Sequence, residues 1–68
     1  MTKRLNELAA KHPDKVRRWY HDRDGYWIEL QPGWQWRAGH AVHERNVRDA
    51  LRSFRDIAPC DCDDCKRA

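Results

Sequence analysis

Aliphatic residues are scarce in this chain. Leu, Ile, Val and Phe together supply only 10 of its 68 residues, a share below the roughly 20% at which disorder becomes the default expectation. No uninterrupted run of even ten apolar residues occurs. A membrane-spanning helix needs about 20 such residues and a secretory leader needs a continuous apolar stretch, so neither is expected, no membrane partner is expected, and the expected location is cytoplasmic. Glycine is limited to three residues, which argues against a glycine-rich phosphate loop, and the single serine, Ser53, is wedged between Arg52 and Phe54, which argues against a serine–histidine–acid set. The three cysteines, Cys60, Cys62 and Cys65, are odd in number and crowded together. They cannot make the paired framework of a small secreted domain and agree with a reducing compartment. A chain of this length buries only about 60% of its unfolded surface, so it forms one small domain, and two-lobed or barrel enzyme architectures are excluded.

Aromatic residues run the other way. Four Trp and two Tyr lie between positions 19 and 36, and each ring can bury about 150–250 Å². The expectation is therefore a compact aromatic-cored middle with looser ends at residues 1–12 and 59–68. Basic residues outnumber acidic ones 14 to 11, a net charge of +3. The excess belongs to the body, since residues 1–58 carry 12 basic against 8 acidic groups while the tail carries 2 against 3.

Thr2 can cap a helix whose Leu5, Leu8, Ala9 and His12 recur at helical spacing, predicting a short amphipathic helix from Thr2 to about Lys11, interrupted by Pro13. Residues 14–20 fit a helical face (Val16, Trp19, Tyr20) or one side of a strand (Val16, Arg18, Tyr20) equally well. Asp24-Gly25 is a turn dipeptide, and Tyr26-Trp27-Ile28-Glu29-Leu30 after it is a strand with Tyr26, Ile28 and Leu30 on one face. Pro32-Gly33 suits the centre of a type II turn, and Trp34-Gln35-Trp36 beyond it predicts a tight hairpin. Val47, Ala50, Leu51, Phe54 and Ile57 then mark an amphipathic helix from about Ala41 to Ala58, stopped by Pro59. The predicted fold is α+β: a two-layer domain at residues 1–58 in which an antiparallel hairpin or three-stranded sheet is packed by a C-terminal helix, with a short N-terminal helix and a polar cysteine-bearing tail at 59–68.

The tail carries the most suggestive chemistry. Cys-x-Cys-x-x-Cys places three thiolates within six residues, a set that can converge on a soft cation such as zinc. A fourth ligand is not obvious. On the helix expected from Ala41, His40 and His43 stand about 21–25 Å from the cysteine end, which favours His12, His21 or a second molecule as donor, with Asp61, Asp63 or Asp64 in competition. The plainer alternative is a set of reduced, solvated thiols with no cofactor. A redox pair at Cys62 and Cys65 is disfavoured, because the two aspartates between them are expected to raise the thiol pKa. His40-Ala41-Val42-His43-Glu44 departs from the zincin pattern, which needs two histidines four apart with glutamate after the first. His43 is expected to pack or cap, and the protein is not expected to be an enzyme.

Arg45, Arg48, Arg52 and Arg55 repeat at three and four residues and form a stripe that can track phosphates. Glu44, Asp49 and Asp56 are spaced to pair with three of them, and would turn the stripe into an ordinary salt-bridged face. Arg17-Arg18-Trp19-Tyr20 interleaves cations with aromatics as single-strand binders do. The run Asp24-Gly25-Tyr26-Trp27-Ile28-Glu29-Leu30-Gln31-Pro32-Gly33-Trp34, followed by His40-Ala41-Val42-His43-Glu44 and an Arg/Ala/Leu helix, resembles small proteins encoded by phages and prophages. The resemblance covers about half the chain and implies a phage or bacterial accessory protein, with no activity to transfer. The functional expectation is a non-catalytic interaction module that meets a larger protein or a nucleic acid through Arg17, Arg18, Trp27, Trp34, Trp36, Arg45, Arg48 and Arg52. The alternative is a zinc-stabilised binding domain built on Cys60, Cys62 and Cys65.

Overall fold

A computed structural model describes residues 3–37 and 39–67. Helix α1 (Lys3–Lys11) leads into β1 (Val16–Asp22), β2 (Gly25–Leu30), β3 (Trp34–Gln35) and β4 (Ala41–Glu44), followed by helix α2 (Val47–Ser53), a 3-10 turn at Phe54–Asp56, β5 (Ala58–Pro59) and helix α3 (Asp63–Arg67). The expected cap at Thr2 lies outside the described residues. No helix among those described is long and apolar enough to cross a membrane.

The protein is a small α+β domain: an antiparallel sheet in the order β1-β2-β4, with helices laid on one face. The ambiguous segment at residues 16–22 is a strand, joined to β2 by a two-residue loop in which the Asp22 carboxylate accepts a hydrogen bond from the Asp24 amide at 2.9 Å. The one-sided Val16/Arg18/Tyr20 pattern is corrected by a bulge between Val16 and Arg18. Inserting one extra residue flips the alternation, so Val16 and Trp19, three apart, both turn toward the core, and Arg18 and Tyr20 share the opposite face with Trp27 and His43. Leu5 of α1 and Ile28 of β2 are each 1% exposed, and Val42 of β4 is fully buried. Val16, Leu30, Trp36, Val47, Ala50 and Phe54 complete this core, which draws on α1, α2, all three strands of the sheet and the loop before β4.

Two expectations about the second half of the chain are overturned, and both bear on the site. The helix does not begin at Ala41. Residues 41–44 pair with β2 in the register Glu29↔Ala41, Ile28↔Val42, Trp27↔His43 and Tyr26↔Glu44, because alternation there places Val42 inward against Ile28. Close approach at the end of this ladder is possible because residue 25 is glycine, with φ +130°; a Cβ there would collide with the Glu44 carbonyl oxygen. The helix starts only after Asn46, whose side chain accepts from the Asp49 amide at 2.8 Å and satisfies one of the unpaired amides of the first turn. It ends at Ser53 in place of Ala58. The second correction concerns the hairpin. Pro32-Gly33 does turn the chain, with Gly33 at φ +100° and the Trp34 amide donating to the Gln31 carbonyl. Trp34-Gln35, however, pairs with Ala58-Pro59 and not with β2, forming a separate two-stranded ladder.

Candidate metal centre

The small β3–β5 ladder decides where the cysteines go. After the 3-10 turn, Ile57 is extended (φ −68°, ψ 148°) and leads into β5, which runs antiparallel to β3. Trp34 then faces Pro59 and Gln35 faces Ala58. The Cys60 amide donates to the Gly33 carbonyl at 2.7 Å, and the Gln35 side-chain amide donates to the Pro59 carbonyl at 3.2 Å. Proline is tolerated here because a two-residue edge strand does not need its missing N–H. Cys60 is thereby fixed beside the Pro32-Gly33 turn. Cys62 directly precedes α3, and Cys65 lies one turn into it, with the Lys66 amide bonded to the Cys62 carbonyl at 3.0 Å. Residues three apart on a helical turn share a face, so both thiols look the same way.

His40 reaches this place from the other side. Trp36 and Gly39 exchange backbone hydrogen bonds of 2.8 and 3.0 Å, closing a tight loop in which Arg37 takes a left-handed φ of 54°. The His40 carbonyl accepts from the Leu30 amide at 3.0 Å, which ties the residue to the end of β2. Its Nδ1 lies 3.2 Å from the Trp34 carbonyl oxygen. A carbonyl can only accept, so Nδ1 carries the proton and Nε2 keeps its lone pair. Nε2 sits 3.6 Å from Cys62 Sγ, and the ring's Nδ1 edge is 3.8 Å from Cys65 Sγ. The ligand atoms of His40, Cys60, Cys62 and Cys65 all lie within 4.8 Å of one another.

This cluster could hold a metal ion. Metal–sulfur and metal–nitrogen bonds of about 2.3 and 2.0 Å in a tetrahedron put neighbouring donors roughly 3.5–3.8 Å apart, and His40 Nε2 and Cys62 Sγ already stand 3.6 Å apart. A histidine that donates its second ring N–H to a backbone carbonyl has the support usual around a metal ligand, which fixes the tautomer and the ring plane. The electrostatics differ from donor to donor. Hydrogen bonds from the Cys65 amide, the Cys60 thiol, the Cys65 thiol and the Asp64 amide outweigh desolvation and pull the Cys62 thiol down to about 7. This is opposite in sign to the effect expected of the intervening aspartates, because amides at the start of α3 reach the sulfur. Cys60 is pushed up to about 11: a bond from the backbone of Cys62 lowers it, but its thiol bonds to Cys62 and Cys65, its burial and the Cys62 charge together prevail. The Trp34 carbonyl raises the His40 pKa, opposed by desolvation and reinforced by Cys62 and Asp64.

The donors expected to complete the set are elsewhere. His12 packs on Phe54 with ring centroids 5.3 Å apart, and His21 stacks on Tyr26 at 4.2 Å. The helical distance that argues against His40 does not exist, because residues 41–44 are a strand and β5 pairs with β3, whose Trp34 carbonyl meets the His40 ring. The Asn46 cap was the signal in the sequence that could have moved the helix start past His40. His43 donates from Nε2 to the Asp24 carbonyl at 2.9 Å and stacks on Trp27 at 3.8 Å.

The expected partner-binding residues are scattered. Trp36, expected at the surface, is only 8% exposed, with Arg37 over its ring at 4.5 Å. Trp34 is half-buried under Lys15. Trp27 is half-buried between parallel rings of His43 and Tyr20, its indole N–H held by Asp22 at 3.1 Å. Arg18 pairs with Glu29 at 2.8 Å and covers Tyr20, while Arg17 is the exposed bulge residue near Pro32 and His40. Arg45, Arg48 and Arg52 are exposed on or beside α2. The carboxylates spaced to neutralise this stripe do not reach it: among the described residues the Arg18–Glu29 bridge is the only ion pair, Glu44 accepts from the Ser53 hydroxyl, and Asp49 is held by Asn46. No protein-family model matches the chain, and comparison with curated proteins and with solved structures found no significant match.

Proposed function

We propose that this protein is a small non-catalytic binding domain whose C-terminal segment is fastened to the sheet by one zinc ion held by His40, Cys60, Cys62 and Cys65. The observation that carries this reading is the convergence, within 4.8 Å, of four donors from two segments separated by twenty residues of chain. Three thiolates and one imidazole form a borderline-soft, four-membered set, which selects zinc over calcium or magnesium. A full complement of protein donors leaves no open position for water, the condition that separates structural from catalytic zinc. Outside the cluster the groups with catalytic potential are engaged: Ser53 is buried and bonded to Glu44, and His43 is held by Asp24 and Trp27.

Protein purified without chelator should contain one zinc per chain by elemental analysis. Cobalt substitution should give the intense thiolate-to-metal absorption and visible bands of a tetrahedral sulfur-rich site. Cys62→Ser and His40→Ala should each lower the zinc affinity by at least tenfold. A chain that retains no metal and takes up neither zinc nor cobalt at neutral pH under reducing conditions overturns the proposal.

A further inference from the structure

The stripe of arginines is one wall of a groove, and α1 supplies the other. Helix α1 packs against β1 and α2, bringing Lys3 and Arg4 across from Arg48, Arg52 and Arg55. These five basic residues and the apolar Val47 and Leu51 line the groove; none of its described lining residues is acidic. All five cations are exposed, and none lies within ion-pairing distance of a described carboxylate. Holding five like charges at one groove with no internal counter-charge raises the local potential and concentrates anions there.

We infer that this groove binds the sugar-phosphate backbone of a nucleic acid. Three features favour that polyanion over an acidic peptide. The cations follow a line: Arg48 and Arg52 are about 6 Å apart along α2, and the chain continues through Arg55, so the charge is laid out for a ligand with repeating charge. Four of the five are arginine, whose planar fork matches phosphate oxygens two at a time. The apolar floor is also narrow, since Val47 is buried and only Leu51 is half-exposed, which offers little anchorage to the hydrophobic side chains that normally fix a peptide. The tryptophans lie elsewhere, so the contact is to backbone and should be indifferent to base sequence. No metal donor lines the groove, and the inference stands whether or not zinc is bound.

The test is fluorescence anisotropy of the whole purified protein with short fluorescein-labelled single-stranded and duplex oligonucleotides of two unrelated sequences. Four phosphate contacts on duplex predict an affinity loss of about 100-fold between about 50 and 200 mM salt. Arg48→Gln/Arg52→Gln should reduce the slope of log affinity against log salt by about 2, with an unchanged melting midpoint, while Lys11→Gln should leave the slope unaltered. Three results would overturn the inference: no binding at low salt, a slope indifferent to the double substitution in folded protein, or equal affinity for a labelled polyglutamate of matched charge.

Discussion

The sheet with its two covering helices and the C-terminal hook of β5 and α3 are held by different physics. The body draws Leu5, Val16, Ile28, Leu30, Val42, Val47, Ala50 and Phe54 into one apolar cluster, so that a chain poor in aliphatic residues spends nearly all of them in one place. The hook contributes no fully buried residue: from Ala58 to Lys66 every residue is exposed or half-buried. Its regular structure amounts to a two-residue strand and a five-residue helix. An isolated helix that short is unstable in water, and a two-residue ladder adds little. What the hook has in place of a core is chemistry, three thiols and the imidazole they meet. The contrast teaches that burial accounts for the position of the body, whereas the hook is placed by a short ladder, a few hydrogen bonds and a cluster of donors that could hold a metal.

The largest effect that could break this contrast is cavity creation in the body. Ile28→Ala removes a 1%-exposed side chain from the central strand and is expected to cost about 2–5 kcal/mol. A domain of this size has roughly 3–10 kcal/mol in total, so chemical denaturation followed by far-UV circular dichroism should show the variant partly unfolded at 25 °C or close to it. Added zinc should recover only part of the loss. Full recovery would mean that the metal, and not the core, holds the sheet together.

Removing the proposed zinc is the complementary perturbation, and its effect should be local. At free zinc 100-fold above its dissociation constant, the metal opposes opening of the hook by about 2.7 kcal/mol, a factor of about 100. Chelation should therefore speed hydrogen exchange about 100-fold at the amides of Cys60 and Lys66, which are bonded to Gly33 and Cys62. The amides of Ile28 and Val42 in the sheet should keep their protection. Equal loss in both regions would erase the distinction. Acid should act as chelation does: metal binding displaces protons from thiols and needs neutral imidazole, so affinity falls as pH falls.

The same division separates what could be read from the sequence from what could not. Apolar spacing at Tyr26, Ile28 and Leu30 and at Val47, Ala50 and Phe54 reports local structure, and it identified the strand and the buried side of α2. Where a signal was carried by only one or two residues, periodicity misled. His40-Ala41-Val42-His43 fits the start of a helix as well as a strand, and tertiary pairing with Ile28 decides between them. The bulge at Arg17 cannot be inferred from alternation, because it is the break in alternation. His40 is rejected from sequence on helical distance for the same reason: its meeting with the cysteines depends on β3 pairing with β5, a contact between two dipeptides some 24 residues apart that no local pattern announces. The cysteines were legible by spacing alone. Their fourth companion was not.

The mildest perturbation acts on the open face of the sheet and sharpens the contrast in pH. Arg18 reaches across from β1 to Glu29 at 2.8 Å, and that hydrogen bond, opposed by burial and aided by the charges of Arg18 and Arg17, holds the Glu29 carboxyl below its ordinary value of 4.5. A carboxylate with a lowered folded pKa stabilises the fold fully above its unfolded value and loses that contribution as pH falls through the folded value. This pair should therefore add no pH dependence to the body near neutrality, where its contribution is fully present, and the contribution should begin to be lost only below about 4.5, after acid has released the proposed zinc. Glu29→Gln should lower the melting midpoint slightly at pH 7, because the Arg18 side chain is 66% exposed and pairs of that kind are weakened by solvent and salt. It should also flatten the decline in stability below pH 4.5 while leaving zinc content at pH 7 unchanged. A Glu29→Gln protein that loses its zinc at neutral pH would show that the open face and the hook are coupled, and that the two regions are one cooperative unit.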